Sequence, residues 1–263
     1  MKRKPLSLLL ALALAFTLAL AGCGGSGGTL KVGVRGDIVN FGYENPENGR
    51  RDGLDIDLAN ELAKRLGYGK VDFVTVDSTT REQFLQDGTV DVVAAAYSIT
   101  PERQEVVDFS PAYYEDAMKV MVEDTTGFTT LKDLKGTVVA VLKDSNNALA
   151  LCQKMAELGL IPAFDETAFD PAAFNGGLTF AIYDSYDAMD DALETGEADA
   201  MCGDGALLQG HKWSSRLYLE ETFHADSYGV ATKKGSALSA KVSAAVQAML
   251  DDGTIATMID KWN

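Results

Sequence analysis

Arg103 lies within the segment SITPERQEVVDFSPAYY, which runs from Ser98 to Tyr114. A guanidinium is planar and presents parallel N–H donors, the geometry that grips a carboxylate with two hydrogen bonds. Thr100 is a good N-cap, Pro101 a good first helical residue and Glu102 suits the positive first turn, so Arg103 is expected in that turn. The preceding run VDVVAAAYS is apolar enough for a central strand of a parallel sheet. A strand that ends where a helix begins offers free backbone N–H groups to an anion. The chemistry predicted here is a carboxylate clamp. Taken alone, the segment equally permits Arg103 as a surface ion-pair partner of Glu102 or Glu105.

The elements that must hold this clamp alternate along the chain, which predicts an α/β protein with mostly parallel sheets flanked by helices. Leu30–Val34 is expected as a first strand. A helix should start near Asp55, with Leu58, Leu62 and Leu66 on one face and Gly67 as its stop. Val71–Val76 reads as a second strand, Thr80–Gln86 as a short helix ended by Gly88, and Val90–Tyr97 as the buried strand that feeds the clamp. A second unit begins near Val120. Its expected parts are strand Thr137–Leu142, a polar loop Lys143–Asn147, helix Ala148–Leu158, strand Thr179–Tyr183, helix Tyr186–Glu194 and strand Ala198–Cys202. The chain then returns through strand Tyr228–Lys233, helix Ala237–Asp251 and a last helix to Trp262. Residues 163–177, with one proline inside, another just before and two adjacent glycines, read as a surface insertion.

The N-terminus carries Lys2, Arg3 and Lys4 ahead of an apolar run from Leu6 to Ala21, the pattern of an export signal over residues 1–22. Leu20-Ala21-Gly22-Cys23 resembles the bacterial lipobox. That resemblance makes Cys23 the lipid-bearing first residue of the mature chain, and residues 23–28 a flexible tether. From Cys23 onward there are 20 basic and 39 acidic residues, a net charge of −19, which argues against nucleic acid as a partner. In so acidic a chain an anion site needs arginines concentrated locally, because screening over about 10 Å hides the rest. Cys152 and Cys202 are read as buried free thiols or, in an extracytoplasmic setting, an oxidised pair. His211 and His224 lack neighbours at metal-ligand spacing. No P-loop, G-x-S-x-G or HExxH is present, and no cofactor is expected.

Eight segments in order resemble the bacterial extracytoplasmic solute-binding proteins of the polar amino-acid uptake family. They are LKVGVR (30–35), GLDIDLANELAKRLG (53–67), FLQDGTVDVVAA (84–95), SITPERQEVVDFSPAYY (98–114), LKGTVVAV (134–141), LETGEADAMCGD (193–204), YGVATKKGS (228–236) and DGTIATMIDKW (252–262). The resemblance implies a two-lobed periplasmic-binding-protein fold that hinges shut on one amino acid. Lobe 1 would comprise 29–112 plus 231–263 and lobe 2 residues 118–226, with crossings near 113–117 and 227–230.

The same resemblance assigns roles. Arg103 would hold the ligand α-carboxylate, aided by backbone groups at Ser98 and at Ser145 or Asn146. Asp204 would pair with the α-ammonium, unless it is only a turn acid before Gly205. Ala96 would offer a backbone carbonyl. Arg35 and Arg81, with Ser78 three residues before Arg81, resemble the glutamate/aspartate-binding branch and would face a second carboxylate, if Arg81 does not sit on the solvent face of its helix. Three guanidiniums and one carboxylate then give a pocket charge near +2. Three departures from the family pattern bear on selectivity, the first being Ala95 and Ala96 where many relatives have hydroxyls or glycine. Asp144 replaces a common glycine, Ile38 stands where an aromatic often covers the ligand, and Phe41 would supply an apolar wall instead. The expected partner is the membrane permease of an ATP-driven importer, the expected state a membrane-anchored extracytoplasmic monomer. The alternatives are binding of glutamine or another polar amino acid, or dehydratase chemistry on cyclohexadienyl acids with Asp144 or Tyr97 as general acid.

Overall fold

The computed structural model describes residues 27–262; the leader and the lipobox cysteine Cys23 lie outside them. The chain opens with β1 (Thr29–Val34), β2 (Asp37–Ile38), β3 (Gly42–Glu44) and β4 (Arg51–Asp52), then α1 (Leu54–Leu66), β5 (Lys70–Thr75) and α2 (Arg81–Asp87). It continues through β6 (Val92–Val93), α3 (Pro101–Val106), β7 (Val107–Phe109) and β8 (Tyr114–Glu123). Next come β9 (Val138–Leu142), α4 (Asn147–Glu157), β10 (Thr179–Tyr183), α5 (Tyr186–Thr195), β11 (Ala200–Asp204) and α6 (Gly205–Leu208). The last part is β12 (Arg216–Tyr218), β13 (Phe223–Tyr228), β14 (Ala231–Lys233), α7 (Ser239–Asp251) and α8 (Thr254–Trp262).

These elements form two lobes. One is built on a five-stranded sheet of order β5-β1-β6-β14-β7, the other on a sheet of order β10-β9-β11-β8-β12 in which β13 also pairs with β8. Each has the parallel core that the alternating pattern implies. The strands that carry the chain between lobes join these cores antiparallel, so both sheets are mixed. The chain passes between sheets at 110–113 and again at 229–230. Residues 114–117, read from sequence as part of a crossing, are paired strand, facing 225–228.

Packing follows from periodicity. α1 buries Leu54, Leu58 and Leu62, spaced four apart on one face, against Leu30, Val32 and Val34 of β1 and against Val242 and Val246 of α7. Each such side chain contributes roughly 1.5–3 kcal/mol on burial. Acids in the first turn, basic residues in the last and a left-handed Gly67 complete the helix. In the second lobe, Val139 and Val141 pack on Leu151, Cys152 and Met155 of α4. Cys152 and Cys202 are both buried and free. The 163–177 stretch is less detached than its composition suggests, since Phe164, Phe169 and Phe174 cluster with Phe180 of β10 at centroid distances of 5.4–6.3 Å.

Two expected strands are shorter than the apolar pattern predicts. The run from Val90 stops as strand at Val93, because after the Ala94 N–H bonds to the Gly33 carbonyl the chain turns away and Ala96 takes φ 42°. Tyr228–Lys233 breaks at Val230, because Gly229 and Val230 form a crossing.

Gly53 fixes where α1 starts. Its φ of 126° and ψ of 173° belong to glycine alone. A Cβ there would sit 2.1 Å from the Phe41 carbonyl oxygen. Gly53→Ala should therefore cost about 3 kcal/mol or more, a fall in Tm of roughly 6–12 °C for a chain of this size, read by scanning calorimetry.

Candidate functional site

The C-terminal ends of β1, β5 and β6 face the C-terminal ends of β9 and β11, and the loops between them enclose a narrow cavity of about 20 Å³. Arg35, Ser78, Arg81, Ala96, Ser98 and Arg103 line it from one lobe, and Ser145, Asn146 and Asp204 from the other. That is room for about one water molecule, so the lobes are drawn together over the site. The lobes meet directly, since Ser78 Oγ donates to the Lys143 carbonyl at 2.6 Å.

Local sequence explains how Arg103 is aimed. Thr100 caps α3 by accepting from the Arg103 backbone N–H at 3.3 Å, and Pro101 occupies the first turn. The side chain then folds back, and its Nη1 donates to the Ser98 carbonyl at 3.1 Å. It makes no ion pair with Glu102 or Glu105 among the described residues, which removes the surface alternative. α3 has only six residues, so its dipole is small and anion binding falls to the guanidinium and nearby N–H groups. Ser98 is also tied to the crossings. Gly229 donates to the Tyr97 carbonyl, Ile99 to that of Ser227, and Ser98 bridges to Tyr228.

Arg81 opens α2 and is 5% exposed, so it does not lie on a solvent face. Its guanidinium stacks 3.8 Å from the Tyr97 ring centroid, and Arg103 sits 5.0 Å from the same ring. The Tyr97 hydroxyl donates to Glu82 at 2.6 Å. Arg81 Nε is buried without a hydrogen-bond partner, and the side chain forms no ion pair among the described residues. Burial, and next the Arg103 charge, push its pKa down to about 9, so it remains cationic at neutral pH. The loop before it is rigid. Although partial burial acts to raise it, hydrogen bonds from Thr79 and Thr80 hold Asp77 at about 2.

Arg35 behaves differently. It is 3% exposed and makes a two-pronged pair with Asp37, Nε to Oδ1 at 2.8 Å and Nη2 to Oδ2 at 2.6 Å. Asp37 cancels its charge, so the pocket charge near +2 read from sequence is too high. The Asp226 charge, near enough to raise the Asp204 pKa, lowers it again.

Asp204 is the buried acid facing these cations. Its Oδ2 accepts from the Tyr228 hydroxyl at 2.8 Å and its Oδ1 lies 3.4 Å from Asn147 Nδ2. The same Tyr228 oxygen lies 3.2 Å from Asp116 Oδ2, and one hydroxyl proton serves only one of two carboxylates. Burial, then the Asp226 charge, raise the Asp204 pKa to about 7. This is far from a simple turn acid.

Three expectations are corrected. Phe41 does not line the pocket; it packs edge-on against Tyr114 and Tyr228, and Ile38 takes the wall position. The Ser145 hydroxyl and backbone N–H both donate to the Leu142 carbonyl, so the backbone role expected of Ser145 or Asn146 falls to Asn146. The Asn146 side chain turns to His224 at 3.3 Å. Gly27 and Gly28, expected in a flexible tether, lie against Gly67–Gly69, with Gly69 N–H donating to Gly28 O. Ala96 has its N–H taken by Asp55 at 2.9 Å, which leaves its carbonyl free. Asp144 is exposed and brings no charge inward.

Asn147 and Tyr186 line the pocket without having been picked out. Asn147 is 1% exposed and its Oδ1 is an orphan acceptor; the polar loop signal reached it but did not rank it above Ser145 and Asn146. Tyr186 stacks on His211, and nothing in its local sequence marks it. No group of three or more metal-ligating side chains occurs among the described residues.

Fold and site together define a two-lobed receptor for a small charged ligand. The chain belongs to the bacterial extracellular solute-binding proteins, family 3, whose model matches residues 30–263. It is 30% identical to the ABC transporter glutamine-binding protein GlnH of Bacillus subtilis over 89% of this chain and 80% of the relative. It is also 30% identical to the glutamate-binding protein GluB of Corynebacterium efficiens, over 86% and 76%. An ancestral arginine-binding protein solved with arginine superposes with a TM-score of 0.75 at 32% identity, over 90% of this chain and 99% of that one. The chain is thus an amino-acid-binding component of an ABC transporter and not an enzyme. In keeping with that, Tyr97 donates to Glu82 and burial pushes its pKa up, which makes it a poor general acid.

Proposed function

We propose that this receptor binds an acidic amino acid, glutamate or aspartate, and delivers it to a membrane permease from a lipid anchor on Cys23. The observation that carries this reading is Arg81, a buried guanidinium in the pocket wall with an unpartnered Nε and no carboxylate of its own. A buried charge is costly unless paired, and a ligand side-chain carboxylate supplies the pair. Arg103 takes the α-carboxylate, and Asp204 with the Ala96 carbonyl takes the α-ammonium. Asn147 Oδ1 offers the ammonium a further acceptor. Arg35, neutralised by Asp37, shapes the wall. The receptor acts as a monomer.

Glutamine is the second reading. With Asp37 and Asp226 counted, the pocket is near neutral, and GlnH and GluB are equally similar to this chain in identity. Titration calorimetry on the chain lacking residues 1–23, with glutamate, aspartate, glutamine and arginine, tests the proposal. Glutamate or aspartate should bind at least about tenfold more tightly than glutamine. Tighter glutamine binding rejects the acidic assignment.

The Asp204 carboxyl gives a pH signature. Because its folded pKa lies above the usual 3.8, the empty protein holds a proton that the unfolded chain releases. Its contribution to empty-protein stability is complete below about pH 4 and is lost as pH rises through about 7. Ligand affinity should run the opposite way, since an ammonium pairs with the ionised form. Affinity should rise between pH 5 and 7, by up to about tenfold per unit, and then level off. Calorimetry in buffers of different protonation enthalpy should register proton release on binding.

A further inference from the structure

The three parallel strands of the first lobe point their C-terminal ends, with Arg35, Ser78 and Ser98, at the ligand pocket. Their N-terminal ends therefore lie at the opposite end of that lobe. The chain enters there, and its entry is clamped. Gly69 N–H donates to Gly28 O at 3.1 Å, and a Cβ on Gly27 would lie 2.3 Å from the Gly67 carbonyl oxygen. Only glycine permits backbone to lie on backbone this closely. From Cys23 to the clamped Gly27 is four peptide steps, a span of at most about 14 Å.

Charge divides unevenly between the lobes. Residues 114–228 hold seven basic and 21 acidic residues, a net of −14. The remainder from Cys23 onward holds 13 basic and 18 acidic residues, a net of −5. An anionic lipid leaflet repels the first group far more strongly than the second wherever either comes within a Debye length, about 8 Å at physiological salt.

We infer that the cleft-distal end of the first lobe, around Gly67–Lys70, is the surface held against lipid, and that the acidic second lobe points away from the membrane. The inference rests on lipid attachment at Cys23. β1 spans six residues, about 20 Å, so the pocket rides roughly 20–35 Å above the leaflet, the upper figure including the extended tether.

The test uses the full lipidated protein in vesicles of phosphatidylcholine and phosphatidylglycerol that carry a headgroup acceptor dye. A donor dye is placed on Lys70→Cys or on Lys135→Cys. Both positions are exposed, at the cleft-distal ends of the first and second lobes, whereas Cys152 and Cys202 are buried. Energy transfer should be at least about threefold more efficient from position 70, since the second site stands farther off by the length of both lobes. Equal or reversed transfer in protein whose intact mass includes the lipid overturns the orientation alone. An intact mass without lipid on Cys23 overturns the anchor and the orientation with it.

Discussion

Arg103→Ala should abolish measurable binding of every amino acid while leaving the fold intact. The side chain supplies two charge-assisted hydrogen bonds to an α-carboxylate, each contributing roughly 1.5–3 kcal/mol. Their loss should weaken binding by about a hundredfold to ten-thousandfold. Stability should change little. Within the protein the guanidinium contributes one bond to the Ser98 carbonyl and a 5.0 Å approach to the Tyr97 ring. Arg103→Lys retains the charge but not the fork and should recover only part of the affinity. Calorimetry across several amino acids, with Tm measured on the empty protein, checks both halves. A variant that keeps wild-type affinity for any amino acid ends the clamp assignment.

Arg81→Met should separate selectivity from binding. Affinity for glutamate and aspartate should fall by about tenfold to a hundredfold, as expected for one buried charge-assisted contact, while glutamine binding stays near its wild-type value. The empty variant should also melt higher. An unpaired buried charge destabilises, and Met fills the space without it; the lost stacking on Tyr97, about 0.5–2 kcal/mol, offsets part of the gain. Tighter ligand binding and lower empty-state stability would then be two faces of one residue, as is common where function needs a strained site. A parallel loss for glutamate and glutamine would place Arg81 in the shared part of the pocket instead.

The placement of Arg103 was legible because its geometry is local. Thr100 and Pro101 set the helix start, and that start aims Arg103 within a few residues. The burial of Arg81 and Asp204 followed from the family pattern, since neither position is marked by its neighbours. What sequence did not convey depends on contacts across the chain. Asp37 lies two residues from Arg35, and only the turn into β2 brings its carboxylate onto the guanidinium. Phe41 reads as an apolar loop residue, but the crossing tyrosines Tyr114 and Tyr228 draw it out of the pocket. Asn147 and Tyr186 reach the site because α4 and α5 begin beside Asp204 and Gly203 of β11. The strand ending at Val93 looked longer because Ala94–Tyr97 are as apolar as strand residues, and the left-handed turn at Ala96 has no signature in an alanine.

The hydrogen bond from Ser78 Oγ to the Lys143 carbonyl joins the lobes through protein atoms alone. A bond of this kind contributes about 0.5–1.5 kcal/mol, a bias of roughly twofold to twelvefold toward the shut form, with or without cargo. To a permease that recognises the shut shape, an empty receptor in that shape looks loaded. Each such false delivery burns ATP and imports nothing, while a weaker latch lets cargo escape before delivery. One serine hydroxyl thus helps set the idling consumption of the whole importer.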